Sequence, residues 1–264
     1  MHFALRAAFL IAFWAVVVTP CVHAQIPQTA RSAFADGRFL IAAELAEAEG
    51  SAESLAFSAR ARIADAITRD TGLCGECLRQ AEATAQAAVK RDADLAEGYI
   101  QLAVAIGLRG RLIDAIEAQS EGLAERGRSA IDRALELEPG NSWAHAALGA
   151  WHLEIVRRGG SVLASILYGA SEEEGLANFR KALAANPGFL LVHYHFALSI
   201  LALDPERFRK EAVAALHAGD KDVRSDAITA FTRRRAGALI ELLKTGSPEA
   251  IAALVRRYQG YPDA

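Results

Sequence analysis

Cys74 and Cys77, in Leu73-Cys-Gly-Glu-Cys-Leu78, are the first residues whose types and spacing carry chemistry. A C-x2-C pair holds zinc if two more ligands stand near, anchors haem if His follows, does redox work in a βαβ setting, or closes a local disulfide in an oxidising compartment. Leu78 follows Cys77, no second ligand pair is signalled and no βαβ pattern surrounds the pair, so the loop disulfide leads. His145, His152, His193 and His195, with Glu154, form a second group. His145 and His152 share a helix face two turns apart, which suits a metal site, yet imidazoles also serve as flat packing rings bonded to backbone. Packing is preferred here, so neither a metal nor a cofactor is expected. Glu154, Arg157 and Arg158 precede Gly159-Gly160. The arginines complement a helix C-terminus, with an anion or headgroup site as the functional alternative. Arg233-Arg-Arg235 reads as a solvated face. The chain has no Gly-rich phosphate loop, nucleophile elbow or H-E-x-x-H. No catalytic residue is expected, and binding is favoured over an enzyme.

What must position these residues begins after an N-terminal address. Arg6, the apolar run Ala7 to Val18 and Val22-His23-Ala24 read as a secretory signal over residues 1–24, cleaved after Ala24. That run is well short of the ~20 residues needed to span a bilayer. The expected location is the periplasm. A lipoprotein anchor on Cys21 is the alternative, although Pro20 stands where such signals place a small residue. No later apolar stretch reaches spanning length, so the mature chain is expected to lack a transmembrane anchor. The formal net charge of −3 gives no basic face for phosphate backbones and argues against nucleic acid.

Sparse Gly and Pro, abundant Ala and apolar residues at three- and four-residue spacing predict an all-α chain, with helices over 54–70, 78–91 and 96–108. An internal repeat is visible when prolines serve as anchors. Ala134-Leu-Glu-Leu-Glu-Pro139 matches Ala182-Leu-Ala-Ala-Asn-Pro187 and, more loosely, Ala88-Val-Lys-Arg-Asp-Ala93. After each comes a helix of one skeleton: Tyr99-x2-Leu102-Ala103, His145-x2-Leu148-Gly149, His193-x2-Phe196-Ala197. Gly149, where two helices should approach most closely, is expected to tolerate a large side chain least. Helix starts at Ala96, Ser142 and Leu190 leave insertions at 110–122 and 156–170, which with the Cys74 loop should share one edge. Beyond Leu203, helices are expected from Asp204-Pro205 to about Ala218, from Val223 to Leu243 and from Pro248 to Tyr258.

This skeleton resembles the tetratricopeptide repeat family, from Ala52 to about Leu203, with a weaker half-repeat at Phe34-Ala-Asp-Gly37-Arg-Phe39. The resemblance implies a right-handed α-α superhelix over residues 25–203, capped by helices in 204–264. The spacing between repeats is longer than the family's, and His twice replaces its first aromatic. The resemblance further implies a concave wall of Glu97, Ile100 and Val104, then Trp143, Ala146, Ala150 and Leu153, then Leu191, Tyr194, Leu198 and Leu201. Glu154, Arg157 and Arg158 would form a polar rim. So apolar a groove implies a periplasmic scaffold that binds another envelope protein, or a carrier or transporter-associated component that takes a lipid-like small molecule. The segment 161–168 or the C-terminal helices would plug the groove if it is not open.

Overall fold

The computed structural model describes residues 25–262, so the signal segment and Cys21 lie outside the described residues. Within them the chain is all helical: α1 Gln28–Ala35, α2 Phe39–Glu49, α3 Ala52–Thr68, α4 Gly75–Arg91, α5 Ala96–Arg109, α6 Ala115–Ser120 and α7 Leu123–Leu137, followed by α8 Ser142–Tyr168, α9 Glu172–Ala185, α10 Leu190–Leu203, α11 Arg209–Gly219, α12 Ala227–Thr245 and α13 Pro248–Gln259. The starts of α5, α8 and α10 fall on the residues that the repeat anchors predict. No helix among the described residues is long and apolar enough to cross a membrane.

Local chemistry sets the helix ends. Ser51, Asn141, Ser171, Asp226 and Ser247 each accept a backbone N–H of the first turn, satisfying donors that the helix itself cannot. Gly37, at φ 81°, supplies the left-handed turn between α1 and α2 that L side chains resist. Three helix entries share one device: the Tyr99 hydroxyl donates to the Ala93 carbonyl at 3.2 Å, while His145 Nε2 and His193 Nε2 bond the Pro139 and Pro187 carbonyls at 2.9 and 2.7 Å. Each ring reaches back six residues to pin the turn before its own helix.

The helices form two layers. α3, α5, α8 and α10 lie side by side, and α4, α7 and α9 back onto them. Small residues allow the close crossings. A methyl on Gly149 would lie 2.6 Å from Phe179 Cδ2 and 2.9 Å from the Gly175 carbonyl, and one on Gly175 would collide with Leu153 Cδ2. The largest apolar cluster joins α8, α9 and α10 to α11, α12 and α13 across Leu203.

Several expectations need correction. The insertion at 156–170 is a continuation of α8, which breaks its helical path only at Gly160 (φ 73°, ψ 159°), because glycine alone takes that backbone cheaply. The segment 161–168 does not fill the groove: Val162, Leu163, Ile166 and Leu167 are 56–73% exposed, although Leu163, Ala164, Leu167 and Tyr168 border the cavity from one side. Asp204 does not cap a helix at Pro205. Its carboxylate accepts the N–H of Glu206 and Arg207 to hold a turn, and α11 begins five residues later at Arg209. α12 begins at Ala227 rather than Val223, because Asp226 caps it and the Asp222–Arg224 pair folds the preceding turn.

The three elaborations do meet at one edge. The backbone of Gly75, in the cysteine loop, packs on Leu112, and Arg158 donates to the Gly110 and Ile113 carbonyls at 2.7 and 3.3 Å. The C-terminal segment arrives at the same edge. Gly260 packs against Leu73, Arg111 donates to the Gln259 carbonyl at 2.9 Å, and the Tyr261 hydroxyl bonds Glu154. α12 meanwhile touches α1, α3 and α10, and Ile228 joins Phe39 and Ala64 in one apolar cluster. α12 and α13 therefore cover the inner layer from one end to the other.

Candidate functional site

Covering the inner layer leaves a cavity of about 760 Å³ between it and the C-terminal helices. α3 contributes Phe57 and Ile63, α5 Ile100 and Val104, α8 Trp143, Ala146 and Ala150, α10 Leu191, Tyr194 and Leu198, and α12 Ile228 and Phe231. Apolar walls of this kind, within the ~300–1,000 Å³ usual for ligand sites, suit a small molecule with few polar groups. Edge-on packing of Trp143 against Phe189, with ring centroids 4.9 Å apart, fixes one wall.

Most of the residues that the resemblance places on a concave wall lie on this cavity, but not on an open groove. Ile100 is 1% exposed, Tyr194 5% and Leu198 2%, because the C-terminal helices lie over them. Leu153 and Leu201 are not on the wall. Leu153 fills the crossing of α8 with α9 at Gly175, and Leu201 is fully buried in the main cluster. Glu97 pairs with Arg60 at 3.6 Å and also lies off the wall. Of the three rim residues, Glu154 and Arg158 border the cavity. Arg157 turns instead to Glu154 at 2.8 Å and to the Tyr261 hydroxyl.

The cavity has a polar end, at the edge where the elaborations and the C-terminus meet. Burial alone would raise the Glu154 carboxyl, but the hydrogen bond from Arg157, the nearby Arg111 charge and the Tyr261 hydroxyl together hold it below its ordinary value. His195 faces this space without a hydrogen bond on either ring nitrogen, and burial, aided by the charge of Arg111, lowers its pKa to about 4. The imidazole is therefore neutral at physiological pH. Burial pushes the Tyr194 phenol well above its usual range, although Arg235 lies near enough to oppose that shift. The repeat pattern gives no sign of Arg111 or Gln259, which lie outside its skeleton, and Arg233-Arg-Arg235 is not simply a solvated face, because Arg235 borders the cavity and Arg233 donates to the Asp222 carbonyl.

The other candidate chemistry resolves more simply. Cys74 and Cys77 are joined as a disulfide, whose loop borders the cavity only through Gly72 and Leu73. His145 also bonds Asn178 at 3.1 Å, and His152 Nδ1 accepts the Ser171 N–H at 3.2 Å. Among the described residues no three metal-ligating side chains converge. A wider depression of about 1050 Å³ lies around Trp151, outside the inner layer. Four of its charges pair among themselves, Arg128 with Asp132 and Arg133 with Glu136, and Arg126 pairs with the buried Glu82.

Two layers of helices with the C-terminal helices packed over the inner one define the class: an all-helical protein. The model of the family described as Regulator of microtubule dynamics protein 1-3 matches residues 36–225, and the chain belongs to that family. This match overturns the tetratricopeptide resemblance. Small residues at crossings and rings between hairpins are what any row of stacked helix pairs requires, so that skeleton does not single out one family. A search of curated proteins finds no match.

Proposed function

We propose that this protein is a binding protein whose cavity takes an apolar, lipid-like small molecule, and that it acts by binding rather than catalysis. The observation that carries this reading is the cavity of about 760 Å³ walled by Phe57, Ile100, Val104, Trp143, Leu191 and Leu198 beneath the C-terminal helices. His195 and Ser199 face the space one turn apart, but among the described residues they share no hydrogen bond and no carboxylate orients the imidazole, as a nucleophile and base would need. In this reading the hairpins follow a right-handed superhelical path that brings α12 across both ends. Uptake of a neutral, environment-sensitive dye tests it. The wild type should bind one dye saturably, and Ala150→Phe, which puts a ring into the space between α8 and the other walls, should bind markedly less. Equal uptake by both would place the dye elsewhere and defeat the reading.

A second reading, a scaffold for another protein, is favoured by Val162, Leu163, Ile166 and Leu167, which present a solvent-facing apolar strip on the last two turns of α8. The family's description speaks of microtubule dynamics, whereas we propose that this chain works in the periplasm. The Cys74–Cys77 bond and the signal-like residues 1–24 support export. Thiol labelling of the denatured, unreduced protein distinguishes the two compartments. Export predicts a bonded pair, and two free thiols would point to a reducing compartment.

A further inference from the structure

The last two turns of α8 carry an apolar strip whose inner side is anchored. Beyond the break at Gly160, Ala164 packs with Val156 and Ala170, and the Tyr168 ring meets Trp151 edge-on with centroids 6.5 Å apart. Val162, Leu163, Ile166 and Leu167 therefore stand outward in fixed positions, 56–73% exposed. Leu163 and Leu167 also border the cavity, whereas Val162 and Ile166 do not. At these exposures the four side chains leave roughly 400 Å² of apolar surface open, a size at which a patch on a soluble protein marks a contact site.

Charge around the strip decides what fits it. From Gly159 to Ser171 the chain has no charged residue, but Arg157-Arg158 precede that stretch and Glu172-Glu173-Glu174 follow it. Arg157 and Glu172 are paired within the chain, with Glu154 and Arg207. The exposed Arg158, Glu173 and Glu174 have no ion-pair partner among the described residues. A strip basic at one end and acidic at the other is self-complementary when two copies run antiparallel about a two-fold axis. A lipid surface fits less well. Helices that lie on membranes carry Lys or Arg on their polar face, and here that flank holds Ser161 and Ser165, with three acids beyond.

We propose that this strip is the interface of a homodimer, in which the last turns of α8 pair antiparallel with those of a second copy of this chain. The inference rests on the strip's being a protein contact surface and not on what the cavity holds. With the axis between Leu163 and Ile166, Leu163 packs on Ile166 of the second copy and Val162 on its Leu167. Arg158 of each copy then lies towards Glu173 and Glu174 of the other. Two strips cover about 800 Å² in total, and the flanking turns carry the contact to the ~1,200 Å² at which specific dimers begin, so micromolar association is expected. The end charges set the antiparallel direction rather than supply the affinity.

Analytical sedimentation over a concentration series tests the idea, and the wild type should show a monomer–dimer equilibrium with a micromolar midpoint. Ile166→Glu and Val162→Glu should each weaken association by about ten-fold or more, because the new charge loses its water against the apolar copy. Both positions are mostly exposed and lie off the cavity, so melting temperature and dye uptake should match the wild type. Leu40→Glu, on the exposed side of α2, is the control and should leave the dimer intact. Glu173→Lys with Glu174→Lys should weaken the dimer several-fold by setting like charge against Arg158. Unchanged association in that double variant would overturn the antiparallel arrangement. A dimer that survives Ile166→Glu in a folded chain would overturn the strip as its interface. A wild type that stays monomeric at about 100 μM, well above a micromolar midpoint, would overturn the proposal outright. Co-sedimentation of that monomer with anionic phospholipid vesicles would give the strip to a membrane and defeat the protein-contact reading beneath it, whereas no vesicle binding would leave the strip to a different protein.

Discussion

Arg111, in the turn after α5, donates to the carbonyl of Gln259, the last residue of α13, at 2.9 Å across 148 residues of sequence. This bond ties the insertion edge of the helix row to its C-terminus and closes the polar end of the cavity. Long-range closure has a cost in ordering, so it must be backed by apolar burial. Ile251 and Val255, both fully buried against α10, supply it.

Ile251→Ala should therefore cost ~2–5 kcal/mol and loosen α13. Denaturant melts give the first number, and hydrogen exchange at α10 gives the second. Loss of stability with unchanged protection of α10 would show that α13 does not cover the inner layer.

Gly149 on α8 is the least forgiving position in the hairpin it forms with α9. Its added methyl would meet the Phe179 ring at 2.6 Å and the Gly175 backbone at 2.9 Å, and backbone cannot swing aside. Gly149→Ala should cost ~1–3 kcal/mol despite the better helix propensity of alanine. Gly188, with nothing within 4 Å, is the control and should change little. An unshifted melting temperature for Gly149→Ala would contradict the crossing.

Much of this row was legible in the sequence. The starts at Ala96, Ser142 and Leu190 follow from short-range turn chemistry, in which a ring at position six pins the preceding turn, and Gly149 follows from a small residue in an otherwise large apolar skeleton. The closure was not legible. Ile251 and Val255 have the spacing of any amphipathic helix, and nothing local says that α13 returns to α10. The polar end was hidden for the same reason, since Arg111 lies in an insertion and meets Gln259 only through the closed fold. The family was misread because hairpin packing imposes similar patterns on unrelated rows of helices.

His195 should make the fold acid-sensitive. Unfolding releases an imidazole that takes a proton near its ordinary value of 6.5, whereas burial and Arg111 keep the folded group neutral down to about 4. Between those values the unfolded chain binds more protons, so stability falls as pH drops through that window, by at most about 3 kcal/mol for this residue. His152, also lowered chiefly by burial and then by Arg128, acts in the same direction. Urea midpoints compared at about pH 7 and about pH 4.5 should differ less in His195→Phe than in the wild type. An identical difference would show that His195 does not face Arg111 in a dry site.

Solvent extraction of the natively purified protein, followed by mass spectrometry, bears most directly on the central claim that α12 and α13 close an apolar, ligand-holding cavity over the inner layer. The account predicts an apolar molecule recovered near one per chain from the wild type and strongly depleted in Ala150→Phe. Recovery of no such molecule, together with no dye uptake by the stripped protein, would contradict it.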